Sequence, residues 1–150
     1  MKGILKIVGV ILVIFIVVFS CNKIISKKIE KDINKSPSME YVRAIMEMKS
    51  VAEIMNSNLP AQIDENTLLT NVEYSETDNK LIFRYTINDV TKEEIQNVIS
   101  DLKSNQIEFI KNSPENGAYL KAKVTFEYIY FDLDKNEIGQ YIIIADEYMN

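Results

Sequence analysis

Asp132-Leu133-Asp134-Lys135-Asn136 is the stretch of this 150-residue chain that most invites a chemical reading, because alternating oxygen-bearing side chains open an EF-hand calcium loop. That loop also needs glycine at its sixth position and a bidentate glutamate at its twelfth, and the chain has Glu137 and Ile143 there. An oxygen-rich hairpin turn is the better reading. Asp64, Glu65, Glu73 and Glu76 could supply paired carboxylates for acid–base work. Their spacing fixes no separation between two carboxyl groups and no apolar pocket to raise one of them, so they read as surface charge. Ser20, Ser100 and Ser113 have no histidine to activate them, since the chain contains none. Arg43 and Arg84 are the only arginines and suit structural ion pairs better than a ligand carboxylate.

The lone cysteine, Cys21, excludes an internal disulfide and a cysteine-rich zinc site. Without histidine the chain also lacks the commonest general base and metal ligand. Four scattered glycines form no phosphate-cradling loop. These absences argue for a chain that is not an enzyme, with no metal and no cofactor. Charge is unevenly spread. Asn22 to Ser38 carries five lysines against two acids, and Met39 to Asn150 carries ten Lys/Arg against twenty Asp/Glu. So acidic a domain is a poor nucleic-acid binder, whereas the lysine collar suits anionic headgroups.

The collar follows a greasy start. Lys2 and Lys6 precede Ile7 to Phe19, thirteen residues without a charge. That length matches a signal-peptide core, and counting from Gly3 to Ile25 with snorkelling lysines makes a tilted membrane span. In Val18-Phe19-Ser20-Cys21, Val18 and Ser20 suit a lipoprotein signal, but bulky Phe19 stands where a small residue is usual. Residues 1–25 therefore read as a transmembrane anchor or a lipoprotein signal with Cys21 as the lipidation point. Residues 26–38 read as a basic stalk and 39–150 as the globular domain. A short lysine-bearing N-terminus favours export of that domain, although the lysines after the run pull the other way under the positive-inside rule.

The elements that must position any site follow from periodicity. Ser36-Pro37 starts a helix whose apolar stripe includes Val42, Ile45, Met46, Ala52, Ile54 and Met55, and Asn56 to Pro60 ends it. Thr67–Tyr74, with Leu68, Val72 and Tyr74 on one face, and Lys80–Ile87 form a hairpin about Glu76 to Asn79. Thr91 to Glu94 is a capping box opening a helix through Ile95, Val98, Ile99, Leu102 and Ile107. Ala118 to Phe131 alternates as one long strand and turns at Asp132 to Glu137 into Ile138 to Ala145. The expectation is an α+β fold of helix, hairpin, helix, hairpin, with a four-stranded antiparallel sheet covered by helices on one face. Tyr85, Phe126, Tyr128, Tyr130 and Tyr141 belong to the core unless register turns some onto the open face as a docking surface.

Residues 56–89 carry a further signal. Leu59, Pro60, Ile63, Asp64, Thr67, Leu69, Val72 and Tyr85 fit an Asn-x-x-Leu-Pro-x-x-(Val/Ile)-Asp-x-x-Thr-x-Leu pattern with a tyrosine hairpin, Phe83 replacing the first tyrosine. This stretch, about a quarter of the chain, resembles small membrane-anchored or lipoprotein-like bacterial envelope proteins of unknown function. The resemblance implies an envelope location and supports the hairpin; it implies no activity. The expected protein is a non-enzymatic, membrane-anchored envelope module that binds another envelope protein. The alternative is a small-ligand-binding or inhibitor module using the open sheet face or the seam between the first helix and the first hairpin.

Overall fold

The computed structural model describes residues 37–112 and 117–149. The expected anchor, Cys21 and the lysine stalk up to Ser36 lie outside these residues. Among the described residues no helix is long and apolar enough to cross a membrane. The chain runs α1 (Pro37–Asn56), β1 (Ala61–Gln62), β2 (Thr67–Ser75), β3 (Lys80–Ile87), α2 (Lys92–Asn112), α3 (Gly117–Ala122), β4 (Thr125–Phe131), β5 (Glu137–Ile143) and α4 (Ala145–Met149).

The sheet corrects the expected one. It has five strands in the order β1-β2-β3-β4-β5, and it is mixed, because β3 and β4 run parallel from Lys80↔Thr125 to Thr86↔Phe131. Alternation tells which face a side chain takes but says nothing of strand direction. Direction comes from the connection: α2 has 21 residues and so is about 30 Å long. That is enough to carry the chain back past the whole of β3, so β4 enters the sheet at the end where β3 began. The two hairpins, β2–β3 and β4–β5, are antiparallel as expected.

Ala118 to Phe131 is not one strand. Tyr119 and Ala122, three apart, are both fully buried and fold with their neighbours into α3, which packs against α1. Lys123 ends α3 in the left-handed region at φ 51°. There Val124 N–H donates to Tyr119 C=O (3.2 Å) and Lys123 N–H to Leu120 C=O (3.2 Å), the paired bonds of a Schellman ending. Only after it does the strand begin. Asn79 pins that start: Thr125 N–H donates to its carbonyl at 3.0 Å, and its side chain donates to Ala122 C=O at 2.6 Å.

A bulge decides the face of β2. Its register shifts between Leu69 and Asn71, so Leu69 and Val72 point into the core together and Leu68 does not. The edge beyond two-residue β1 leaves the Val72 backbone open, and Asn56 at the end of α1 closes it. Val72 N–H donates to Asn56 Oδ1 at 2.9 Å, and Asn56 Nδ2 donates to Val72 C=O. An Asn56→Leu variant keeps the volume but leaves both Val72 groups without this partner. It is expected to lose about 1–2 kcal/mol in urea unfolding, with faster hydrogen exchange at Val72. Unchanged exchange would show that Asn56 does not hold the edge.

The core lies between the helices and one sheet face. Val72, Phe83, Tyr128 and Tyr141 form one row across four strands, and Tyr74, Leu81, Phe126 and Ile143 the next. The α1 residues Ala44, Met48, Val51 and Ala52 close over the β2 side, while Ile95, Leu102 and Ile110 of α2 join the same buried cluster, with α2 lying on β5. The Thr91–Glu94 capping box is formed: Glu94 N–H donates to Thr91 Oγ1 at 3.2 Å, and Thr91 N–H to Glu94 Oε2 at 2.8 Å. α4, absent from the sequence reading, is tied down by Tyr148, whose hydroxyl donates to Val124 C=O at 2.6 Å, and by a 2.8 Å ion pair from Lys103 to Glu147.

Candidate interaction surface

The residues singled out for chemistry do not converge. Asp132 spends both carboxylate oxygens on its own turn, accepting from Asn136 N–H at 2.8 Å and Asn136 Nδ2 at 2.9 Å. Asn136 holds its carboxyl below the usual range. Lys135, at φ 64°, completes the turn, and the EF-hand likeness is that of an Asx turn. Asp64 Oδ1 accepts from Asn66 N–H at 2.8 Å, Glu73 pairs with Arg84 at 2.9 Å, and Glu76 pairs with Lys49 at 2.6 Å. These carboxylates therefore serve a turn and two separate ion pairs. Ser100 and Lys103 have a Ser-x-x-Lys spacing that the sequence reading passed over, but Lys103 is engaged by Glu147 and Ser100 is exposed on α2. Among the described residues no group of three or more His, Cys, Asp or Glu side chains could hold a metal. Cys21, Ser20 and Ser113 lie outside the described residues.

Register settles the tyrosines. Tyr85, Tyr128, Tyr130 and Tyr141 all point under the helices, and none reaches the open face. They stack instead: Phe83 on Tyr128 at 5.1 Å, Tyr128 on Tyr141 at 4.7 Å, Tyr85 on Tyr130 at 5.3 Å. Burial pushes all four phenols well above the ordinary tyrosine range, and Tyr130 donates to Tyr141 at 3.4 Å. A phenol with a raised folded-state pKa keeps its full contribution below the unfolded value, about pH 10, and loses it as pH rises further. The tyrosinate absorbance of these four side chains is therefore expected to appear above that pH in one cooperative step with loss of circular dichroism. Gradual ionisation with the fold intact would contradict the buried stack.

The seam between α1 and the first hairpin is filled by Met48, Val51, Ala52, Leu69 and Val72, all buried. A ligand site there, one of the two places the alternative reading offered, is excluded by packing. What remains is the sheet face turned away from the helices. Four strands set its side chains in rows: Glu73–Ile82–Glu127–Ile142, then Asn71–Arg84–Ile129–Gln140, with Thr86 beside Phe131. Several of its charges are paired within the face, while Glu137 stands opposite Phe131. Arg84 Nη1 donates to Asn71 Oδ1 at 2.6 Å and Glu73 Oε2 at 2.9 Å, and Lys80 lies 3.2 Å from Glu127. Ile82, Ile129 and Phe131, half-buried, and Ile142, exposed, make an apolar strip among these pairs. Apolar side chains set among paired charges suit contact with another surface. Sequence alternation placed Ile82 and Arg84 on this face, but only the parallel pairing sets Ile129 beside Arg84.

Comparison with solved structures places the fold. A Pseudomonas aeruginosa protein named as a candidate secreted protein superposes with a TM-score of 0.60 at 13% identity, over 76% of this chain and 98% of that one. A pilotin from the Vibrio vulnificus type 2 secretion system superposes with a TM-score of 0.54 at 10% identity, over 74% and 96%. At these identities the likeness is one of fold. No protein of curated function matches the sequence. A family model does match, from Ala44 to Gly139 through α1, the sheet and α2, so the chain belongs to the family described as Domain of unknown function (DUF8479).

Proposed function

We propose that this chain is a non-enzymatic binding module of the bacterial cell envelope, held at a membrane by its N-terminal segment and engaging another envelope protein through the open face of its sheet. The observation that carries the reading is the apolar strip Ile82–Ile129–Phe131–Ile142, laid between ion pairs that cancel locally. An apolar strip on an open sheet face favours a protein surface over a small ligand, which needs a cleft. The fold shared with a secretion-system pilotin and with a candidate secreted protein supports an envelope setting. So do the apolar run Ile7 to Phe19 and the resemblance carried by Leu59, Pro60, Asp64 and Thr67.

Photo-crosslinking in intact cells tests the surface. A photoreactive side chain at Ile129 is expected to trap a discrete partner, and the same group at Asn105, exposed on α2, is not. Equal yields at the two positions, or no adduct at Ile129 and Phe131, would remove the open face as the binding site. The mode of anchoring is read separately with a palmitate analogue. Label present in the wild type and lost in Cys21→Ser assigns a lipid anchor; membrane-bound but unlabelled protein assigns the apolar run itself.

A further inference from the structure

The first half of α1 is also apolar on the side turned away from the core of the described residues. Ala44, Met48, Val51 and Ala52 face the core, and on the opposite side Met39, Val42 and Met46 are 40%, 45% and 55% exposed. Their spacing of three and four residues puts them on one line along the helix. A helix with apolar side chains on two opposite sides, one of them already in the core, offers the other to a second apolar phase.

We propose that this stripe lies on the lipid surface, α1 resting its first three turns in the headgroup boundary of an anionic bilayer. Position in the chain argues for lipid. The stripe begins directly after the five-lysine segment Asn22 to Ser38, which itself follows the apolar run Ile7 to Phe19. If that run is in the membrane, as in the function proposed above on which this inference rests, the tether keeps the stripe within tens of ångströms of headgroups. A short tether gives an effective concentration in the millimolar range, at which three side chains suffice for contact. Charge argues the same way. The domain from Met39 onward carries twice as many acids as bases and is repelled by anionic lipid, but Arg43 flanks the stripe and the five lysines of Asn22 to Ser38 directly precede it. This end, continued by the lysine segment, is therefore the one that an anionic surface accepts. A second copy of the chain fits less well. Three partly exposed side chains offer a fraction of the roughly 800 Å² per partner that a stable interface takes, and two acidic domains repel each other.

The chain has no tryptophan, so a single one reports its own surroundings. The full chain carrying Met46→Trp is reconstituted into vesicles of mixed zwitterionic and anionic lipid with brominated acyl chains. Expected is a blue-shifted emission, quenched about twofold or more by bromine near the headgroups, as for an interfacial helix. Val42→Trp should behave alike and serves if the first variant does not fold. Leu133→Trp, 65% exposed in the β4–β5 turn, should stay solvent-like and unquenched. Vesicle-bound protein in which Met46→Trp and Leu133→Trp emit alike overturns the proposal while leaving the anchor standing. Blue-shifted but unquenched emission that follows the protein-to-lipid ratio overturns it in favour of a second copy. A full chain that does not float with the vesicles overturns both this proposal and the anchored reading.

Discussion

Replacing Tyr128 by alanine is expected to cost about 3–5 kcal/mol, the range for deleting a large buried aromatic side chain. Tyr128 is fully buried in the middle of the sheet, stacked on Phe83 at an interplanar angle of 8° and on Tyr141 at 21°. No neighbour can collapse into the gap, because the rings on both sides are themselves held by strand register and by stacking. A domain of this size holds about 5–15 kcal/mol in total, so the variant should sit near the edge of folding. Its melting temperature should fall by roughly 15 °C or more. Tyr128→Phe keeps both stacks and gives up only the hydroxyl that faces buried Gln106, so it should lose no more than about 1.5 kcal/mol. Urea unfolding followed by circular dichroism separates the two. An alanine variant within about 1 kcal/mol of wild type would mean that the aromatic row is not the centre of the core.

Gly139→Ala should be destabilising although it adds one methyl group to a strand. Gly139 pairs with Tyr130 and faces α2, and a Cβ built there would stand 2.4 Å from Ile95 Cγ2 and 3.2 Å from Ile99 Cδ1. Ordinarily, exchanging glycine for alanine in a strand gains several tenths of a kcal/mol in backbone entropy. Here the methyl group meets a branch carried directly on the Cβ of a fully buried isoleucine, which cannot swing aside. α2 must lift from β5, at a net cost of about 1–3 kcal/mol. The cause can be isolated. Leucine at position 95 has no branch at Cβ, so Ile95→Leu should relieve the clash, and the double variant should be more stable than the sum of the singles by about 1 kcal/mol. Strict additivity would disprove the contact.

Both effects sit at positions whose character was only partly visible beforehand. The alternation Leu81-Phe83-Tyr85-Ile87 marked the buried face of β3 correctly, and Phe126, Tyr128 and Tyr130 marked that of β4, because residues two apart must share a side of a strand. Thr91 and Glu94 announced the start of α2, since a capping box is local chemistry completed within four residues. Gly139 was not legible: glycine in a strand pattern is ambiguous until a helix is known to cross it.

Composition and local pattern thus determined by themselves the α+β character, the positions of α1, α2 and both hairpins, the acidic domain with its lysine-rich approach, and which residues of β3 and β4 share a face. Those properties depend on neighbours a few residues apart, and the chain carries them wherever it goes. Tertiary structure alone decided that β3 and β4 run parallel, that α3 interrupts the long alternating run, and that the bulge at Thr70 turns Leu69 inward. It alone set Ile129 beside Arg84 and Tyr141 beside Tyr128, completing the open face and the buried aromatic row. Each of these depends on where a distant element comes to lie. The return path of a helix about 30 Å long sets strand direction, and burial of Tyr119 and Ala122 against α1 outweighs a strand-like alternation.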